Sequence, residues 1–262
     1  MENTIAITRT MEVTGTKRLR RPRVRFLTPE QLAPFKEQVW EINAALVEWS
    51  KEEFEQDFDA AGRYAVFFSA GEVVGICTVM EQEFQIDGRR VFTIGLGRAV
   101  VQPQYRNQFL VQRALIFRWM RRFAMRPWQP IYIWGNCVSY KSYLSFVRVL
   151  SIVYPVAEVS TPERHAQVID AIGEHWYVEA YDAGRKLVRV PNFRVSDETT
   201  RPNVQDLLKP DIRFYCDQVP VAEDATFGLL TISPCIRSNF LPMVGSWIRN
   251  IVRKSLGIRR KF

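Results

Sequence analysis

Residues 91–134 constrain the fold of this chain more than any other stretch. The run 91–101 is rich in β-forming residues, is broken only by Gly95 and Gly97, and is stopped by Pro103. From 108 to 125, apolar residues recur at helical spacing through Leu110, Ala114, Leu115, Ile116, Phe117, Trp119 and Phe123, which predicts a long buried helix. Arg126-Pro127-Trp128-Gln129-Pro130 ends it, and Ile131-Tyr132-Ile133-Trp134 is a short apolar run suited to a buried strand. Strand, helix and strand in this order make a crossover whose two strands lie parallel.

The flanking segments supply antiparallel partners. Thr28-Pro29-Glu30-Gln31 places a capping residue, a proline at the first helical position and an amide three residues after the cap, so a helix is expected to about Trp49. Ser50-Lys51-Glu52-Glu53 repeats the capping pattern and opens a short second helix through Phe58. Runs 64–69 and 73–80 flank Ala70-Gly71-Glu72 as a hairpin, and Ile86-Asp87-Gly88-Arg89 turns the chain into 91–101. After 131–134 the sequence predicts helices over about 139–150 and 161–172 and a hairpin of 177–181 with 186–190. Residues 191–205 read as a polar loop, while 211–216 and 227–232 each fit a strand or a helix. The expected class is α/β, a mixed sheet with helices on both faces.

Composition excludes several functions. With 47% apolar and 24% charged residues the chain is not globally disordered. Two histidines, and the separated cysteines Cys77, Cys137, Cys216 and Cys235, leave no zinc-ligand spacing, so no metal is expected. Residues 1–25 carry a net +5 and residues 245–262 a net +6, so the +8 of the whole chain leaves the middle at −3. A body of that sign argues against a nucleic-acid-binding face, whereas basic ends suit an anionic partner. From 238 to 256, Phe240, Val244, Trp247, Ile248, Ile251 and Val252 alternate with Arg249, Arg253 and Lys254 at helical spacing. This is the pattern of a basic amphipathic helix, which either docks on the core or meets a membrane or carrier protein. No stretch is apolar for the roughly 20 residues a spanning helix needs, and the N-terminus lacks a signal-peptide core, so a cytoplasmic protein is expected, peripheral at the inner membrane surface at most.

One turn carries chemistry. A strand ending in Val100-Val101-Gln102-Pro103-Gln104-Tyr105-Arg106 and leading straight into a long helix presents free backbone N–H groups at a helix N-terminus. Arg106 adds a positive charge beside them, a combination suited to a pyrophosphate or a phosphopantetheine phosphate. Nucleophile elbows, phosphate-binding Walker loops, dinucleotide fingerprints and H-E-x-x-H are all missing.

The stretch 64–149 resembles the GCN5-related N-acetyltransferase (GNAT) superfamily. That superfamily's long fourth strand ends in V-x-P-x-Y-R, matched by Val101-Gln102-Pro103-Gln104-Tyr105-Arg106. Its N-x-x-A-x-x-L-Y after the fifth strand is matched at Asn136 and Tyr143, with Ser139 and Ser142 at the small and apolar positions. The pyrophosphate loop R/Q-x-x-G-x-G/A departs: Arg106-Asn107-Gln108-Phe109-Leu110-Val111 has large residues at both small positions, which crowd the N–H donors.

The resemblance implies an N-acyltransferase that takes an acyl-CoA, or a phosphopantetheine-bound acyl group on an acyl carrier protein, as co-substrate and an amine as acceptor. It implies that strands 91–101 and 131–135 splay around the pantetheine arm, that Tyr143 protonates the leaving thiolate, and that Asn136 shapes the pantetheine channel. Val100, Val101 and the loop from Arg106 to Val111 are the expected donor-binding residues. Phe109 and Val111, with the basic ends, lean towards an acyl chain longer than acetyl and towards an acidic carrier protein or an anionic membrane as partner. Strand 91–101 has no carboxylate to serve as base; Glu81, Glu83 and His175 are weaker candidates. A catalytically silent GNAT-like binding protein localised by its tails is the alternative. The expected organisation is a basic tail over 1–22, the acyltransferase domain over 23–190, an extension over 191–237 and the amphipathic segment over 238–262.

Overall fold

Among the described residues, eight strands form one mixed sheet in the order β1-β2-β3-β4-β5-β8-β7-β6. The strands are β1 (Arg23–Leu27), β2 (Tyr64–Ser69), β3 (Glu72–Ile86), β4 (Arg89–Val101), β5 (Ile131–Cys137), β6 (Tyr181–Asp182), β7 (Leu187–Pro191) and β8 (Ala225–Pro234). The computed structural model describes residues 21–45, 50–52, 54–55, 62–106, 108–191, 202–220, 225–235 and 245. Asn107 lies outside them, as do the basic tail except Arg21 and Pro22, and the 238–262 segment except Gly245.

Among the described residues only β4 and β5 pair in parallel; every other pairing is antiparallel. Helices α1 (Pro29–Leu32) and α2 (Lys36–Ala44) cover one face beside β2 and β3, and α5 (Glu163–Trp176) covers the same face beside β5 and β8. On the other face lie α3 (Leu110–Met125), α4 (Tyr140–Val147), the short α6 (Val204–Leu207) and α7 (Pro210–Gln218), which packs on α4. Strand alternation sorts the core: Tyr132 and Trp134 point to α5, whereas Ile131, Ile133 and Cys137 point to α3 and α4.

The structure corrects several expectations. The helix expected to Trp49 is interrupted by a 3₁₀ turn at Ala33–Phe35, because Pro34 cannot donate to the helical ladder; residues 46–49 lie outside the described set. The Thr28 capping box does form. In the second hairpin only Tyr181–Asp182 pairs with β7, since residues 177–180 form a turn closed by the Ala180 N–H donating to the Tyr177 carbonyl (2.8 Å). Residues 211–216 are helical and 227–232 form a strand. Within the expected extension, β8 lies between β5 and β7 in the sheet. Finally, α3 is not buried all round; Phe117, Met120, Phe123 and Met125 are exposed.

Candidate functional site

The site is a fork between β4 and β5. They pair from Phe92↔Ile131 to Gly95↔Trp134 and then part, so among the described residues 96–101 have no strand partner on that side. Two local features drive the strands apart. Trp134 lies flat over Gly95, where a Cβ would sit 2.2 Å from the indole Cε2, so only glycine admits the ring. Just beyond, the β3–β4 register slips between Ile76 and Thr78, and Arg98 adopts φ 47°, a bulge that bends β4 away from β5. Meanwhile β5 stays paired with β8 from Tyr132↔Pro234 to Cys137↔Leu229, which holds it on the far side of the gap.

On the α3 and α4 face the fork opens into a cleft of about 580 Å³. Val100, Val101, Arg106, Gln108, Phe109, Leu110 and Val111 all line it, joined by Ala99, Gln112, Lys141, Ser142 and Ser145. The last three were missed in the sequence, although α4 follows β5 as α3 follows β4 and so starts at the same end of the sheet. The Arg106 Nε donates to the Val101 carbonyl (3.1 Å), which ties the exposed arginine to the end of β4. Phe109 is the residue before α3 and sits at φ 56°, ψ 34°, with no side-chain cap. It therefore adopts the left-handed backbone that favours glycine, and leaves the first N–H groups of α3 to the cleft. The helix's 3.6-residue ladder starts one step later, with the Arg113 N–H donating to the Phe109 carbonyl (2.9 Å). Positive dipole, free amides and Arg106 make this end of the cleft suited to a phosphate group.

The other two expected residues lie elsewhere. Tyr143 is fully buried in the α4–α7 layer; its hydroxyl donates to the Pro155 carbonyl (3.1 Å) and its ring packs beside Phe214 and Tyr215. Burial, with a smaller contribution from Asp211, pushes its hydroxyl well above the ordinary tyrosine range. Asn136 projects to the α5 face, into a hollow that exists because residue 228 is glycine; a Cβ there would lie 1.8 Å from the Asn136 Oδ1. That Oδ1 is buried with no hydrogen-bond partner, as are the Nε1 atoms of Trp134 and Trp176 on the same face.

Two further groups border the fork on this face. Burial pushes the Arg98 guanidinium down to about 10, opposed by Tyr177, whose own hydroxyl burial pushes up to about 12. Tyr177 stands edge-on to Trp134 at 6.3 Å. The candidate bases are occupied or distant. Glu81 is paired with Arg118, and Glu83 takes Arg122 (2.7 Å), Arg126 (3.2 Å) and Gln129 (2.9 Å), all on the α3 side. The Gln129 hydrogen bond, with the three nearby arginines, holds the Glu83 carboxyl below its ordinary value. His175 is exposed against Phe84 at the outer side of α5. No group of three or more metal-ligating side chains is assembled among the described residues.

Among solved structures the chain is similar to a GCN5-related N-acetyltransferase from Kribbella flavida, at 22% identity and TM-score 0.32 over 48% of this chain and 32% of that one. It is also similar to a ribosomal-protein-alanine N-acetyltransferase from Brucella melitensis biovar Abortus 2308, at 14% identity and TM-score 0.37 over 54% of this chain and 96% of that one. A GNAT family N-acetyltransferase from Escherichia coli in complex with CoA matches at 14% identity and TM-score 0.32, over 45% and 63% of the two chains. This chain thus spans only 32% of the length of the first. No protein-family model and no curated protein matches the sequence.

Proposed function

We propose that the chain is an N-acyltransferase of GNAT type, moving an acyl group from a pantetheine thioester to an amine. The observation that carries this reading is the fork itself: a parallel strand pair that parts at Gly95 and Trp134, with an uncapped helix N-terminus and Arg106 at its mouth. The unpaired edge of β4 would pair with the amides of the pantetheine arm as an added strand does, and the N–H groups of α3 with Arg106 would hold the phosphate. Both ends of the donor are then fixed, which places the thioester at the fork.

The chemistry needs little more than placement. The amine lone pair attacks the thioester carbonyl, a C–N bond forms, the C–S bond breaks, and the sulfur leaves as a thiolate that takes up a proton while the new ammonium loses one. Tyr143 is our candidate proton donor, and in that role its hydroxyl must exchange the Pro155 carbonyl for the thiolate. The acceptor would approach from the α5 face, where the unsatisfied Asn136 Oδ1 and Trp134 Nε1 offer one acceptor and one donor to a ligand. Phe109 and Val111 narrow the phosphate end of the cleft, which supports a carrier-bound or long-chain acyl donor over acetyl-CoA. No described helix is long and apolar enough to cross a membrane.

Thermal unfolding with acetyl-CoA, a long-chain acyl-CoA, free coenzyme A and an acylated carrier protein tests the donor site, because a ligand bound only by the native state raises the midpoint. A rise with one of the thioesters that Arg106→Ala removes is the expected result. No rise with any of them sinks the donor site. A second reading, a silent acyl-ligand-binding protein, is favoured by the pinned Tyr143 and by the ion-paired Glu81 and Glu83. It is separated by thiol release: a midpoint rise with no free thiol formed across a panel of amines selects it.

A further inference from the structure

The C-terminal half of helix α3 turns two of its arginines inwards and several large apolar side chains outwards. Arg118 and Arg122 turn towards the sheet, where they pair with Glu81 and Glu83 and are only 11% and 15% exposed. The outward face instead presents Phe117 (45% exposed), Met120 (52%), Arg121 and Ala124. At the foot of the helix Met125 is exposed and Trp128, in the turn to β5, is 80% exposed. A helix that only faced water would show the reverse arrangement. Residues 110–128 carry no acid, and the exposed Arg121 gives the outward face a positive charge beside its apolar side chains.

The sign of the charge selects the occupant. A second copy docked two-fold on this face would set Arg121 against its own counterpart, and nothing acidic on the helix offsets it. The chain's own C-terminal segment is no better match. It leaves the described structure after Cys235, whose N–H donates to the Ile131 carbonyl (2.8 Å), three residues beyond Trp128. Residues 236–262 hold seven basic residues and no acid, interleaved with Trp247, Ile248, Ile251 and Val252. A second sequence that is basic and without acid supplies no counter-charge to Arg121. A helix face bearing exposed Phe, Met and Trp side chains beside Arg matches the boundary between anionic headgroups and acyl chains.

We infer that the outward face of α3, with the turn at Trp128, docks on an anionic lipid bilayer. The inference is independent of the donor site: Leu110 opens α3 at the cleft, and the Trp128 foot lies about 24 Å away along a 16-residue helix at 1.5 Å per residue. The enzyme would rest on the membrane with its cleft at the far end of the docking helix.

Flotation of the full chain with phosphatidylcholine vesicles, with and without phosphatidylglycerol, tests it. Binding is expected only to the anionic vesicles and is expected to weaken with salt. The triple substitution Phe117→Ser, Met120→Ser, Trp128→Ser should lower partitioning by about tenfold or more while leaving circular dichroism and any donor-induced midpoint rise unchanged. Arg121→Glu, a single exposed change, should lower it as well, and serves if the triple variant folds poorly. Undiminished binding by these variants overturns the inference, since another region is then responsible. So does a failure of the full chain to float with anionic vesicles, or a concentration-dependent dimer that the triple substitution dissolves.

Discussion

The two strands of the fork each hand over to a helix at the same end of the sheet, yet the two turns are finished in opposite ways. After β5, the Ser139 hydroxyl accepts from the Ser142 N–H (3.2 Å) and the Ser142 hydroxyl from the Ser139 N–H (3.1 Å), a closed capping box. After β4, Phe109 takes a left-handed backbone and no side chain caps α3. The difference separates architecture from function. A helix end that satisfies itself offers nothing to a ligand, whereas one with a left-handed residue and uncapped N–H groups, beside Arg106 and inside a cleft, keeps donors to offer an anionic group.

The largest effect should come from closing the fork from which both turns hang. Gly95→Ala places a Cβ about where the Trp134 ring lies, and overpacking of this kind costs about 3 kcal/mol, or roughly 6–12 °C in midpoint for a chain of this size. Differential scanning calorimetry reads it directly. A midpoint within about a degree of the parent would mean that Trp134 can leave β4 freely and is not the wedge that parts the strands. Next in size is Arg106→Ala, which should weaken donor binding about tenfold, the usual worth of one charge-assisted contact to phosphate, with little change in unliganded stability because the side chain is exposed. Isothermal titration separates the two quantities. Equal affinity in both proteins would remove Arg106 from the open turn's function.

Much of this arrangement is legible in the sequence because it rests on local rules. The crossover 91–134, the stops at Pro103 and Pro127, and the capping box at Thr28 each follow from backbone chemistry within a few residues, and all appear in the structure. The convergence of Val100, Arg106 and Phe109 on one cleft follows as well, since a strand and the helix after it share a turn. What stays hidden depends on distant partners. Nothing near Tyr143 announces that α7 will cover it, because Phe214 and Tyr215 lie some seventy residues on and their segment fits strand or helix alone. The exposed face of α3 is hidden for the same reason: Arg118 and Arg122 turn inwards because Glu81 and Glu83 of β3 stand opposite them. The insertion of β8 beside β5 is a topological choice that periodicity does not encode.

The closed turn offers the control. Ser139→Ala removes one half of the capping box and should cost about 1 kcal/mol, or roughly 2–4 °C, while leaving donor affinity as it was. A variant that lost donor binding without losing stability would show that α4 contributes through its cap as well as through the Lys141, Ser142 and Ser145 side chains that line the cleft.

Phe109→Gly changes stability little and is the sharpest test of the contrast. Glycine adopts φ 56° without strain, which removes about 1–2 kcal/mol from the folded state. Against that stand the lost burial of a half-buried aromatic ring and the greater freedom of glycine in the unfolded chain, together of similar size. The midpoint should therefore move by no more than about 1 kcal/mol in equivalent stability. Donor binding is a separate quantity. If the ring narrows an otherwise ordinary phosphate turn, glycine should tighten coenzyme A binding and bring acetyl-CoA within reach. If instead the ring itself holds the acyl donor, the long-chain ligand should bind more weakly and coenzyme A no better. Titration of both ligands against parent and variant therefore shows whether the left-handed backbone is the part of this turn that works, with the aromatic side chain setting which donor it admits.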